Sequence, residues 1–237
     1  MSDDDVRNLA IEFAKRNKNR IARELTDTAK YPPTEQPISV FMSGSPGAGK
    51  TEFSKNFIAT LEEGSDRKVI RIDADDIRSY MPGYTGGNSN LFQGAVSLIV
   101  EKVHDLALSH HQNFIFDGTF SRYEKAVDNI NRSLNKGRSV IVFYIYQRPE
   151  LAWKFTQARE TAEGRNIPKD AFIQQFLGAW QTVNRISTEF HGRVAIFIVQ
   201  KDLEKNEVGT TVKMSPGSQI DDFLQEHYTE EDIKRLI

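Results

Sequence analysis

Gly44-Ser45-Pro46-Gly47-Ala48-Gly49-Lys50-Thr51 fits the pattern G-x-x-x-x-G-K-[ST] at every position, between a β-branched run and a helical pattern. Glycines there let successive backbone N–H groups turn inward around an anion without Cβ clashes. A helix starting near Lys50 adds the positive end of its dipole. Lys50 is placed to reach the β- and γ-phosphates of a nucleoside triphosphate, and the Thr51 hydroxyl to ligate Mg²⁺. ATP and Mg²⁺ are the cofactors these residue types call for.

Two acidic positions extend the pattern. Val69-Ile70-Arg71-Ile72 runs into Asp73-Ala74-Asp75-Asp76. In an open α/β sheet the carboxyl ends of the strands face the ligand, so a carboxylate just past the second strand can accept the proton of an attacking hydroxyl. The competing role is purely structural, with Asp75 or Asp76 capping a helix. Asn113-Phe114-Ile115-Phe116-Asp117 has the apolar-run-plus-acid form in which the acid contacts Mg²⁺, although Asp117-Gly118 also suits a turn. A GTPase is disfavoured. Asp117-Gly118-Thr119-Phe120 has no Gly at the fourth position of D-x-x-G, no Asn-Lys-x-Asp occurs, and Gln200-Lys201-Asp202 is misspaced for it.

The elements that must position these residues follow from hydrophobic period. Short apolar runs at Ile38–Met42, Val69–Ile72, Phe114–Phe116, Val140–Tyr146 and Val194–Val199 suit strands buried on both faces. Between them lie helical patterns at Glu52–Leu61, Leu91–Ser109, Tyr123–Asn135, Glu150–Glu163 and Lys169–Phe190. Ser121-x-x-Glu124 reads as a capping box for the third of these. The alternation predicts an α/β, P-loop NTPase kinase-like, three-layer fold around a mostly parallel sheet of five or more strands. Residues 1–36 read as an N-terminal helix with a Pro-rich linker, 37–200 as the kinase domain, and 201–237 as an extension packed on it.

Composition narrows the classes further. The chain has 237 residues, 38% hydrophobic and 27% charged, which suits a packed core rather than a disordered chain. A formal net charge of −2 offers no field for nucleic acid or an anionic membrane surface. The absence of cysteine removes disulfides, thiolate metal sites and Cys nucleophiles. Met1-Ser2-Asp3-Asp4-Asp5 is acidic where a targeting peptide is basic, and no apolar run approaches membrane-spanning length, so the expected location is cytoplasmic.

With the motifs in place, the chain resembles the zeta toxin family, P-loop kinases that phosphorylate UDP-N-acetylglucosamine. The matching stretches run in order: the 44–51 loop, Ile72-Asp73-Ala74-Asp75, Asp117-Gly118-Thr119, Arg159-Glu160 and Arg165-Asn166-Ile167-Pro168-Lys169. The resemblance implies transfer of the ATP γ-phosphate to the 3′-hydroxyl of the amino sugar, a block on cell-wall precursor use, and a small helical antitoxin as partner. It implies Asp75 as base with Asp73 beside it, and Arg159 and Arg165 stabilising the migrating phosphoryl group. Glu101 and Thr119 are implied as sugar contacts. Asp117 stands where well-known members have Glu, which shortens the reach to a metal. Alternatives are a kinase of another hydroxyl (an antibiotic, a metabolite or a nucleic-acid 5′ end) and an ATP-gated interaction module without transfer.

Several other groups read as structural. His104, His191 and His227 stand alone; Trp153, Phe155 and Trp180 have helix-compatible spacing suited to core packing. Pro82 to Asn90 could form a loop closing over substrate, with Tyr84 stacking on uracil, or a passive one. The N-terminal helix could lie over the nucleotide site or pack on the back of the fold.

Overall fold

The computed structural model describes residues 1–164, 166–202 and 207–237. The apolar runs form β1 (Ile38–Ser43), β2 (Val69–Asp73), β3 (Asn113–Asp117), β4 (Ser139–Tyr146) and β5 (Ala195–Asp202). These five strands are parallel, and β6 (Glu207–Lys213) adds antiparallel to β5, giving the order β2-β3-β1-β4-β5-β6. The fold is therefore α/β with a mostly parallel sheet, as its sequence pattern predicts. The sixth strand lies in the polar C-terminal stretch, where no strand was expected. An antiparallel edge strand pairs along one side only and does not need the continuous apolar run that marks a buried parallel strand.

Side chains alternate across this sheet and produce a core on each face. In β1, Phe41 joins a large cluster with Phe92, Phe114, Phe172 and Val183, whereas Val40 and Met42 join Ile115 and Phe143 on the other face. The second cluster is roofed by Phe53 and Phe57 of α2 (Lys50–Glu62). The first is covered by α1 (Asp3–Leu25), α4 (Ser89–Ser109), α5 (Tyr123–Leu134) and α7 (Lys169–Phe190). The remaining helices are α3 (Ala74–Arg78), α6 (Pro149–Glu163) and α8 (Glu230–Leu236).

The N-terminal helix packs along α4 through Ala10, Ala14, Ile21 and Ala22, small or branched side chains that permit close approach. It contributes no residue to the cleft at the strand ends. Gln112, fully buried, donates to the carbonyls of Thr26 at 2.9 Å and Tyr31 at 2.6 Å, fixing the exit from α1. Local capping differs from expectation at α5. Arg122 occupies its N-cap without a side-chain bond, because the Ser121 hydroxyl pairs instead with Thr119 at 3.0 Å. Tyr84 packs edge-on to Phe92 at 5.8 Å and does not line the cleft. Among the described residues, no helix is long and apolar enough to cross a membrane.

His104 of α4 sits wholly inside the core, edge-on to Phe114 at 5.0 Å and Phe116 at 5.3 Å. Its Nδ1 accepts from Arg132 at 3.2 Å. Burial, reinforced by the Arg132, Lys125 and Arg138 charges, pushes the imidazole down to about 3. The folded imidazole thus stays neutral at pH values where the unfolded one is charged. Its stability contribution is complete above pH 6.5 and is lost as pH falls from 6.5 toward 3. His104→Leu should flatten the pH dependence of the urea midpoint in that window, by at most about 1.4 kcal/mol per pH unit. Parallel curves for the two proteins between pH 6.5 and 4 would contradict this assignment.

Candidate active site

The carboxyl ends of β1 to β5 open into one cleft of about 830 Å³. The loop between β1 and α2 forms its floor. Gly47 adopts φ +73°, and a Cβ there would run into the Ala152 carbonyl and the Thr156 hydroxyl of α6. Only glycine meets both demands, a left-handed backbone and a helix lying against it. Gly49 is also left-handed, at φ +87°, and forms the N-cap of α2 without a side-chain bond. Gly44, Ser45 and Ala48 form the underside of the loop, while Pro46, Gly47, Gly49, Lys50 and Thr51 line the cleft.

The Lys50 ammonium is enclosed by the loop it serves, donating to the carbonyls of Gly44 at 3.0 Å and Ser45 at 2.6 Å. Burial draws it down to about 8, against the opposing pull of Asp117. A concave loop with no room for Cβ atoms, a helix N-terminus and a buried cation together suit a polyphosphate.

The acids face this cradle from the ends of β2 and β3, on the sheet face that α2 covers. Asp73, the last residue of β2, is the N-cap of α3, its Oδ1 accepting from the Asp75 amide at 2.8 Å. The cap is therefore neither Asp75 nor Asp76. That duty falls two residues before Asp75, because Asp73 is the last residue with extended backbone. Asp75 is left with its carboxylate in the cleft, bonded to Arg78 and 3.7 Å from Arg159 of α6. Asp117 ends β3 directly opposite Asp73 in register. Its Oδ2 accepts from Ser54 Oγ at 3.0 Å and Arg71 Nη2 at 2.8 Å. Burial first, then the Asp75 and Asp117 charges, pushes Asp73 up to about 6. Among the described residues no cluster of three or more acids and histidines could cage a metal. Thr51 and Asp117 both line the cleft, a donor set that suits Mg²⁺ shared with substrate phosphates.

The other residues singled out in the sequence are placed unevenly. Thr119 lines the cleft, and its carbonyl accepts from the Gly44 amide at 3.1 Å, hooking the β3 loop onto the cradle. Glu101 does not line the cleft. It is bound by Lys125 at 2.5 Å and Arg132 at 3.3 Å on the α4–α5 side. Arg165 lies outside the described residues. Phe155, expected in the core, is 40% exposed and lines the cleft, since it lies on the α6 face that crosses the loop. Trp153 and Trp180 do pack inward.

Two residues escaped the sequence reading. Arg71 joins Asp73, Asp76 and Asp117; strand period alone places it on the same side as Asp73. Lys201, set aside as part of a misspaced base motif, lies against Gly49 with its stem buried and its ammonium 2.9 Å from Glu52. No local signal could reveal a pair 149 positions apart.

A phosphate cradle after a central parallel strand, faced by a carboxylate from the edge strand, defines a P-loop kinase-like protein. The family model for zeta toxin matches residues 21–210, and the chain belongs to that family. It is 25% identical over 150 residues to Toxin PezT of Streptococcus pneumoniae serotype 4, an alignment covering 60% of this chain. The chain spans 58% of the length of that relative. Its fold superposes on a structure of the PezAT chromosomal toxin–antitoxin system of Streptococcus pneumoniae with a TM-score of 0.66 and 19% identity, covering 94% of this chain and 90% of that one. It also superposes on an AvrRxo1-ORF1:AvrRxo1-ORF2 structure with ATP, with a TM-score of 0.58 and 14% identity, covering 89% and 67% of the two chains.

Two outcomes test the cradle. Gly47→Ala should lower affinity for inorganic tripolyphosphate by about 10-fold or more and cost about 1–3 kcal/mol of stability; titration calorimetry and melting read both. Binding of tripolyphosphate at pH 8.5 should draw a proton onto Lys50, because an anion favours the ammonium. Calorimetric heats would then differ between buffers of different ionisation enthalpy, and equal heats would contradict the buried-lysine account.

Proposed function

We propose that the protein transfers the γ-phosphoryl group of ATP to the 3′-hydroxyl of the amino sugar in UDP-N-acetylglucosamine. In this reading it is the toxin of a toxin–antitoxin pair, acts in the cytoplasm where that precursor is made, and is held in check by a small helical antitoxin. The observation that carries the reading is the Asp75 carboxylate, held in the cleft beside Arg159 and facing the Lys50 cradle. Family membership supports it.

The chemistry follows from placement. The cradle amides and Lys50 hold the β- and γ-phosphates in register. Asp75 accepts the proton of the sugar hydroxyl as its oxygen bonds to the γ-phosphorus, and the bond from that phosphorus to the bridging oxygen breaks to release ADP. Arg159 faces the equatorial oxygens on which charge spreads. Thr51 and Asp117 would hold Mg²⁺, which when bound neutralises the β- and γ-oxygens. Asp73 keeps the Asp75 amide in place and so sets the direction of the base. Thr119 lines the same cleft as Asp73 and Asp75 and in this reading contacts the sugar.

One observation favours a second reading, a kinase of a different hydroxyl. Glu101, implied by the family resemblance as a sugar contact, is bound by Lys125 and Arg132 outside the cleft. A panel of nucleotide sugars, nucleosides and metabolites incubated with MgATP separates the two readings.

Incubation with MgATP and UDP-N-acetylglucosamine should yield a nucleotide sugar carrying one more phosphate by mass spectrometry. Asp75→Ala should lower that rate by about 10²-fold or more, with ATP affinity and melting temperature retained. Expression should arrest growth, and the same substitution should relieve the arrest. Absence of product at high enzyme concentration refutes the acceptor assignment.

A further inference from the structure

Arg71 occupies the middle of β2 with its side chain 10% exposed, and it does not line the cleft. Its guanidinium nonetheless reaches three carboxylates. Nη2 donates to Asp117 Oδ2 at 2.8 Å and to Asp73, Nε donates to the same Asp117 oxygen at 3.2 Å, and Nη1 donates to Asp76 at 2.5 Å. Nε also lies 3.2 Å from Ser54 Oγ, whose own proton is within reach of Asp117. One planar group thus ties together β2, β3, α2 and α3, the elements that carry Asp73, Asp117, Thr51 and Asp75.

We propose that Arg71 is a positioning residue for phosphoryl transfer: by gripping Asp73 and Asp117 in a single fork it sets the direction of Asp75 and the place of Asp117 beside the cradle. The inference rests on the reading of Asp75 as proton acceptor. Helix α3 has only five residues, too few to hold an orientation of its own. What orients its first turn is the bond from the Asp75 amide to Asp73 Oδ1, made while Oδ2 of the same carboxylate is bound by Arg71. Without the guanidinium, Asp73 and Asp117 would face each other across the β2–β3 register with no cation bonded to both. Repulsion would then turn Asp73 out of its cap and release the start of α3. A displacement of about 1 Å at a reacting group can cost about 10²-fold in rate. Lysine cannot substitute, because a single ammonium on a flexible stem lacks the planar fork that meets three carboxylates at once.

The test compares Arg71→Lys and Arg71→Met with the wild type in three readouts: ADP release with and without UDP-N-acetylglucosamine, KM for ATP, and hydrogen exchange at the Asp75 amide. In both variants kcat should fall about 10- to 100-fold while KM for ATP stays within about 3-fold. The Asp75 amide should exchange about 10-fold faster or more, with amides of α2 unchanged. The lysine variant keeps the charge and so reads the fork alone if the methionine variant folds poorly. Unchanged kcat, or unchanged exchange at Asp75, overturns the proposal. So does a joint loss of kcat, ATP affinity and protection throughout the sheet, which would make Arg71 merely structural. A wild type whose ADP release ignores the sugar retires the acceptor assignment, while the Arg71 comparison still stands on ADP release and exchange.

Discussion

Negative charge crowded at the carboxyl ends of β2 and β3 is the constraint around which the site is arranged. Asp73 and Asp117 are nearly buried and directly opposed across the ladder. Withdrawing an ion from water costs several kcal/mol unless charge and hydrogen bonds replace the lost solvent. The replacements come from every neighbouring layer: Arg71 from the strand itself, Ser54 from α2, and the Asp75 amide from α3. Each bond that lowers the cost of the acids also joins two elements that frame the cleft. Keeping buried carboxylates at the strand ends therefore also assembles the cleft.

The opposite wall obeys a steric constraint. Helix α6 lies so close to the phosphate loop that position 47 has no room for a Cβ. This contact puts the next turn of α6, with Arg159, opposite Asp75. The loop, the acids and the arginine arrive from β1, β2, β3 and the helix after β4, all of which converge at one end of a parallel sheet. Twin cores on the two faces, Phe41 with Phe114 on one and Met42 with Phe143 on the other, hold that end rigid.

Much of this was legible in the amino-acid order because the signals are local. The glycine-lysine-threonine pattern carries its own backbone requirement, and uniformly apolar runs mark strands buried on both faces. Pro149 and Gly164 bracket α6, Gly164 closing it in the left-handed conformation. The readings that failed depended on neighbours distant in sequence. Ser121 had the spacing of a capping box, but Thr119 captured its hydroxyl. Phe155 had the spacing of a core residue, but its face of α6 meets the cleft rather than the sheet. Strand β6 carries no apolar run because it pairs at an edge.

By itself, then, the sequence determined the glycine-rich loop after β1, the alternation of the five parallel strands with helices, and the carboxylates at the strand tips, all consequences of short-range backbone geometry and hydrophobic period. Tertiary structure alone decided that Asp73 caps and Asp75 faces the cleft, that Arg71 binds its neighbours' acids, that Lys201 rests on Gly49, and that Glu101 is bound elsewhere. Those outcomes depend on which charged groups meet once the sheet is closed. Hydrogen bonds are lost within a few ångströms and Coulomb energy falls inversely with distance, so separation in space, which chain position does not specify, selects the partners.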